Sequence, residues 1–102
     1  MTHMAGAPLA DLPGGDLVAD GLADVAAGRE SAPALLVRIA APRLRTLGLD
    51  VPAGGPADPE RALYDLLARD DPDAAHGRYN ALVRRIVSFA RAAAALGASD
   101  RA

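Results

Sequence analysis

Apolar residues recur at steps of three and four through the last quarter of the chain: Tyr79, Leu82, Val83, Ile86, Phe89, Ala90 and Ala93. At about 100° per residue these positions, with Val87 and Leu96, cover roughly half the circumference of one helix. No acidic residue occurs between residues 74 and 99, whereas Arg78, Arg84, Arg85 and Arg91 line the borders and back of the apolar half. The pattern predicts a long amphipathic helix over about 72–96, stopped by Gly97. Such a helix has to bury its apolar side. It is therefore the expected central packing helix and the expected subunit interface, through Leu82, Val83, Ile86, Phe89 and Ala93.

The earlier part of the chain breaks into shorter apolar stripes. Residues 1–15 hold Gly6, Pro8, Pro13, Gly14 and Gly15 and read as a flexible N-terminal arm, leaving 16–102 as one helical domain. Asp16 is a fitting N-cap for a helix of about 17–27 with Val18, Leu22 and Val25 on one side. Gly21 weakens that helix and Gly28 ends it. Ser31 opens a second helix carrying Leu35, Leu36, Ile39 and Ala40, and Pro42 predicts a kink or restart before Leu44, Leu47 and the C-cap Gly48. A Pro/Gly-rich loop over about 48–57 follows. Asp58-Pro59-Glu60 and Asp71-Pro72-Asp73 each combine a cap acceptor, a proline suited to the first turn and an acid at the positive helix end. They predict a helix of about 59–69, with Leu63, Leu66 and Leu67 inward, joined as an αα-hairpin to the last one. No stretch alternates like a strand, so the fold class is all-α: a small bundle of four to five helices.

Composition narrows the functional classes. Nearly half of the hydrophobic residues are alanine, and the chain has one Phe and no Trp. A core made from so few large side chains is thin for 102 residues, which favours completion by a second copy. All basic side chains are arginine, a usage that follows from a GC-rich genome. The net charge of −2 argues against a general nucleic-acid binder. Without cysteine there is no disulfide, thiolate nucleophile or Cys-ligated zinc. His3 and His76 are too few for a metal site, and His3 carries no weight because residues 1–4 read partly as a cloning remnant. No apolar run approaches the roughly 20 residues of a membrane span, and no secretory signal opens the chain. The expectation is a cytoplasmic protein without cofactor, metal or membrane partner.

Few residues offer chemistry. On an unbroken helix Arg43 would project between Leu36, Ile39 and Leu47 and would need an anionic partner. If Pro42 resets the phase, Arg43 turns outward instead. Arg38 and Arg45 share the polar side and read as a solvated face. Tyr64 and Tyr79 lie on adjacent helices near the hairpin, and with Asn80, Arg43 and Arg84 they form a candidate site for a small anion. His76 near the start of the long helix is expected to bond a backbone carbonyl, Tyr79 or Asp73, or to be exposed. The stretch Arg69-Asp-Asp-Pro-Asp-Ala-Ala-His76 resembles the loose Arg-spacer-His pattern of HEPN-type helical ribonucleases. That resemblance implies a composite site across a dimer, where His76 moves protons and Arg69 stabilises phosphate. It covers eight residues, three of them aspartates that repel RNA.

Taken together, the expected function is a non-catalytic interaction or regulatory module, homodimeric through the C-terminal helix or bound to another protein. Arg84 and Arg91 are expected to pair with acids of the first helix such as Asp20 and Asp24, within the chain or between subunits. The alternatives are the HEPN-like ribonuclease and the binder of a small anionic metabolite.

Overall fold

Prolines sit in the first turn of three helices, where a missing N–H costs nothing. The computed structural model describes residues 11–101, with side chains as far as Gly97. Among them are five helices: α1 Gly15–Ala26, α2 Ala32–Ile39, α3 Ala41–Thr46, α4 Pro59–Asp70 and α5 Ala75–Arg101. No strand occurs among the described residues.

Local chemistry sets most boundaries. Ser31 caps α2 by accepting from the Ala34 N–H at 3.2 Å, and Asp58 caps α4 by accepting from the Arg61 N–H at 3.1 Å. Gly28 and Gly48 follow α1 and α3 with φ of 75° and 94°, left-handed values that suit glycine. Beyond Gly48 the Leu49 N–H reaches back to the Leu44 carbonyl at 3.0 Å, closing the helix end. Helices α2 and α3 part at Ala40, because Pro42 has no N–H to give the Arg38 carbonyl one turn earlier.

Two expected boundaries move. The N-cap of α1 is Gly14 rather than Asp16. Gly14 has φ of 73°, and a Cβ there would stand 2.5 Å from the Arg85 carbonyl oxygen. Only glycine lets the chain cross α5 at that point, and Asp16 moves into the first turn. Helix α5 starts and ends later than expected. Asp71 accepts from the Asp73 and Ala74 N–H groups, so the Asp-Pro-Asp stretch is a turn preceding the helix. Gly97 does not stop α5, which runs on to Arg101. A helical glycine costs only about 1 kcal/mol and ends a helix only when the backbone turns left-handed.

The centre of the molecule is α2, not α5. Ala34, Leu35, Leu36 and Val37 are all buried, and α2 packs on α1, α4 and α5 as well as its continuation α3. Four consecutive small and branched apolar residues cover most of the circumference of this short helix, leaving Arg38 to reach out toward the loop, which suits a largely enclosed position. Helix α5 contributes Ala75, Ile86, Phe89 and Ala93 to the same core, chiefly against α4. Residues 1–10 of the expected arm lie outside the described residues, while Leu12 packs on the core. The longest dimension, 46 Å, is close to the ~40 Å of a 27-residue helix, so α5 sets the length of the molecule. No helix among the described residues is long and apolar enough to cross a membrane.

Candidate interaction surface

The expected interface set divides in two. Ile86, Phe89 and Ala93 are buried in the chain's own core, and Leu82 and Val83 are half-buried along its margin. What α5 turns outward is a different strip: Ala81, Arg84, Val87, Ser88, Arg91 and Ala95 are all exposed. Val87 is 43% exposed, one of two large hydrophobic side chains open to this degree among the described residues, Tyr64 being the other. Val83 lies one turn before Val87, and Ala94 two turns after it, on the same flank. Arg84 and Arg91, seven residues apart, border that flank on its polar side.

The four arginines of α5 with described side chains fall into two pairs. Arg78 donates from Nη1 to Asp70 Oδ2 at 2.6 Å and closes the α4–α5 hairpin. Arg85 donates from Nη2 to Asp16 Oδ1 at 2.9 Å and ties α5 to the start of α1. Arg84 and Arg91 make no ion pair among the described residues. The expected pairing of Arg84 and Arg91 with Asp20 and Asp24 is therefore replaced by Arg85 with Asp16. The reason is register: α1 meets α5 only sparsely, near the Gly14 crossing, so Asp16 is the acid within reach. Asp24 instead accepts the Ser31 hydroxyl at 2.6 Å and Arg29 Nε at 3.0 Å. The Ser31 hydrogen bond, with the Arg29 bond next, holds the Asp24 carboxyl below the ordinary carboxylate value. Asp16 is also held low, first by the Leu17 backbone N–H at the positive end of α1 and then by Arg85. Where the chain before α1 crosses α5, Pro13, Gly14, Ala81, Arg84, Arg85 and Ser88 line an open groove of about 360 Å³.

The residues expected to gather around a small anion are dispersed. Tyr64 and Tyr79 pair across the hairpin with ring centroids 6.0 Å apart and planes tilted at 56°. Burial pushes the Tyr79 hydroxyl above its ordinary value, with the charges of Glu60 and Asp58 acting the same way. Asn80 turns to His76, their side-chain nitrogens 3.2 Å apart. Neither Tyr79 nor Asp73 is the polar partner of His76. Arg43 sits exposed on α3, as a helix restarted at Pro42 requires, and Arg84 faces outward on α5. Arg69 and His76 are both exposed, on the last turn of α4 and the first turn of α5.

Arg38 and Arg45 do more than face solvent. Arg38 Nη1 donates to the Pro52 carbonyl at 2.7 Å and Arg45 Nε to the Val51 carbonyl at 2.9 Å. Together they hold the loop of residues 48–58 against α2 and α3. Their seven-residue spacing is visible in the sequence, but the carbonyls they meet are not. Among the described residues no group of three or more His, Cys, Asp or Glu is arranged to hold a metal ion. No protein-family model, no curated protein and no solved structure matches the chain.

Proposed function

We propose that the chain is a non-catalytic interaction module that docks an acidic amphipathic helix of a partner protein along the outer side of α5. The observation that carries this reading is Val87, exposed between Arg84 and Arg91 on a helix with no acid from residue 74 to 99. An apolar strip bordered by unpaired guanidinium groups matches a helix with leucines on one stripe and carboxylates beside it. One helix face buries less than a standard interface, so binding is weak and salt-sensitive.

A second copy of the chain is the competing occupant. The spacing of Val83, Val87 and Ala94 favours it, because steps of four and seven keep one flank of the helix in line along which two helices can pair. Two such faces would bring like charges together at Arg84 and Arg91, so self-association strengthens with salt whereas acidic-helix binding weakens. The test is fluorescence anisotropy with a labelled peptide of about 20 residues carrying leucine heptads and flanking glutamates. The same samples are followed by light scattering as salt is raised. A monomer that binds the peptide, and loses it in Arg84→Glu/Arg91→Glu and in Val87→Asp, supports the partner reading. No binding, or binding indifferent to these changes, refutes it. A dimer that tightens with salt assigns the face to a second copy.

A further inference from the structure

The break between α2 and α3 places Arg38 and Arg45 on either side of a cleft roofed by the loop of residues 48–58. Its volume is about 330 Å³, and its walls include Pro42, Pro56, Pro59 and Gly54. Arg38 and Arg45 are the only ionisable side chains lining it among the described residues. We infer that this cleft is a binding site for a small phosphate-bearing ligand, held between the two guanidinium groups.

Both arginines are already oriented. Each uses one N–H on a loop carbonyl, Arg38 on Pro52 and Arg45 on Val51, and keeps its remaining donors for an oxyanion. Side chains fixed before the ligand arrives lose less freedom when it binds. The loop is shaped around one of them. Gly55 has φ of 86°, and a Cβ on it would stand 2.6 Å from Arg38 Nε. Glycine therefore lets the loop backbone lie directly against the guanidinium group. Asp50 and Asp58 belong to the loop, but neither lines the cleft, and the Asp58 carboxylate accepts from the Arg61 N–H.

The opposite side of Arg38 explains why the anion belongs on the Arg45 side. A second cleft there, of about 240 Å³, is lined by Glu30 as well as Arg29. Arg29 is paired with Asp24, so that pocket offers an anion a facing carboxylate and a cation that is already neutralised. The Arg45 side has two guanidinium groups and no acid. Proline and alanine walls add apolar surface for a compact organic body attached to the phosphate.

The test is a titration of the full chain with inorganic phosphate and with phenyl phosphate, ionic strength held constant with sodium chloride. Nitrogen–proton correlation spectra report the loop amides and the arginine Nε groups. Saturable shifts confined to residues 51–56 and to Arg38 and Arg45 are expected, with phenyl phosphate binding more tightly. Arg45→Gln weakens binding about tenfold, the usual effect of losing one charged hydrogen-bonding partner. Arg43→Gln, exposed on the same short helix, stays within about twofold because screened exposed charge has little effect. Should Arg45→Gln shift the thermal melt, Arg45→Lys keeps the charge and removes the planar fork; weakening there too is expected. Shifts that fail to saturate, or spread equally to Arg43, Arg69 and Arg91, overturn the site. So does wild-type affinity in both Arg45 variants.

Discussion

Replacing Gly21 with alanine adds a single methyl group where α1 crosses α2. The new Cβ would stand 2.4 Å from the Pro33 carbonyl oxygen and 2.5 Å from Val37 Cγ2. Ordinary contact begins near 3.4 Å, so the two helices must separate by on the order of 1 Å locally. The Val37 side chain is fully buried and the Pro33 carbonyl is backbone, so neither swings aside freely. Overpacking of a filled interior costs about 1–3 kcal/mol. Against it stands the gain in helix propensity from glycine to alanine, at most about 1 kcal/mol. A backbone clash at 2.4 Å belongs in the upper half of the overpacking cost, about 2–3 kcal/mol, so the net expectation is a loss of about 1–2 kcal/mol.

Gly77 supplies the opposite case within the same fold. It lies in the first turn of α5, and a Cβ there meets nothing within 4 Å. With no clash to oppose it, Gly77→Ala gains about 0.5–1 kcal/mol from the restricted unfolded chain and better helix propensity. Urea melts of the two variants and the parent decide the matter, provided the slope stays constant and only the midpoint moves. The two substitutions must move the midpoint in opposite directions. A Gly21→Ala protein as stable as the parent would refute the close α1–α2 crossing, and with it the enclosed position of α2.

Other substitutions separate core from surface on the long helix. Phe89→Ala removes a fully buried ring and costs about 3–5 kcal/mol, while Val87→Ala, two residues earlier on the exposed side, changes stability by under about 0.5 kcal/mol; thermal or urea melts compare them. Ser31→Ala removes the cap of α2 and costs about 0.5–2 kcal/mol in the same assay. The lowered Asp24 carboxyl makes part of the stability pH-dependent: the unfolded chain binds the extra proton, so that contribution is complete above the ordinary 3.8 and is lost as pH falls through the lowered native value. Acid titrations followed by circular dichroism should show this loss reduced in Asp24→Asn, and carbon NMR should show the Asp24 carboxyl rising toward its ordinary value in Ser31→Ala. Under the Arg69–His76 reading the chain cleaves RNA in a gel assay and His76→Ala abolishes the cleavage; under the interaction reading neither protein cleaves RNA in the same assay.

Features governed by neighbouring residues were legible in the sequence. Ser31, Asp58, Gly28 and Gly48 act over a few residues, and each marks the boundary its chemistry predicts. Features governed by register between helices were not. The apolar half of α5 was plain from its spacing, but spacing reveals which side is buried and not how many neighbours surround it. So α5 looked central, while the shorter α2 occupies the centre. Gly21 read as a flaw in α1 because propensity is a local quantity, whereas its role is a contact with Pro33 and Val37 on another helix. Arg84 and Arg85 differ by one position, hence by about 100° around the axis. That rotation, combined with the Gly14 crossing, gives Asp16 to Arg85 and leaves Arg84 outward.

The division of the arginines also limits what α5 has for a partner. A helical wheel credits the helix with half its circumference for docking, yet Ile86, Phe89 and Ala93 are closed inside the chain. The surface that remains is a narrow strip around Val87 with charge along one border. Burying Val87 fully contributes about 1.5–3 kcal/mol at most, and exposed arginine–carboxylate pairs contribute about 0–1 kcal/mol each. Set against an association cost of about 4 kcal/mol or more, these contributions cannot give tight binding unless the partner adds contacts beyond α5. The groove formed by Pro13, Gly14 and Arg84 near Ala81 lies beyond Arg84 from Val87, so a partner on the strip reaches it by crossing Arg84. The affinity of the module therefore depends on whether its occupant reaches that groove. An acidic peptide spanning Arg91 to Arg84 alone should bind more weakly than one extended to Ala81, even when its charge is unchanged.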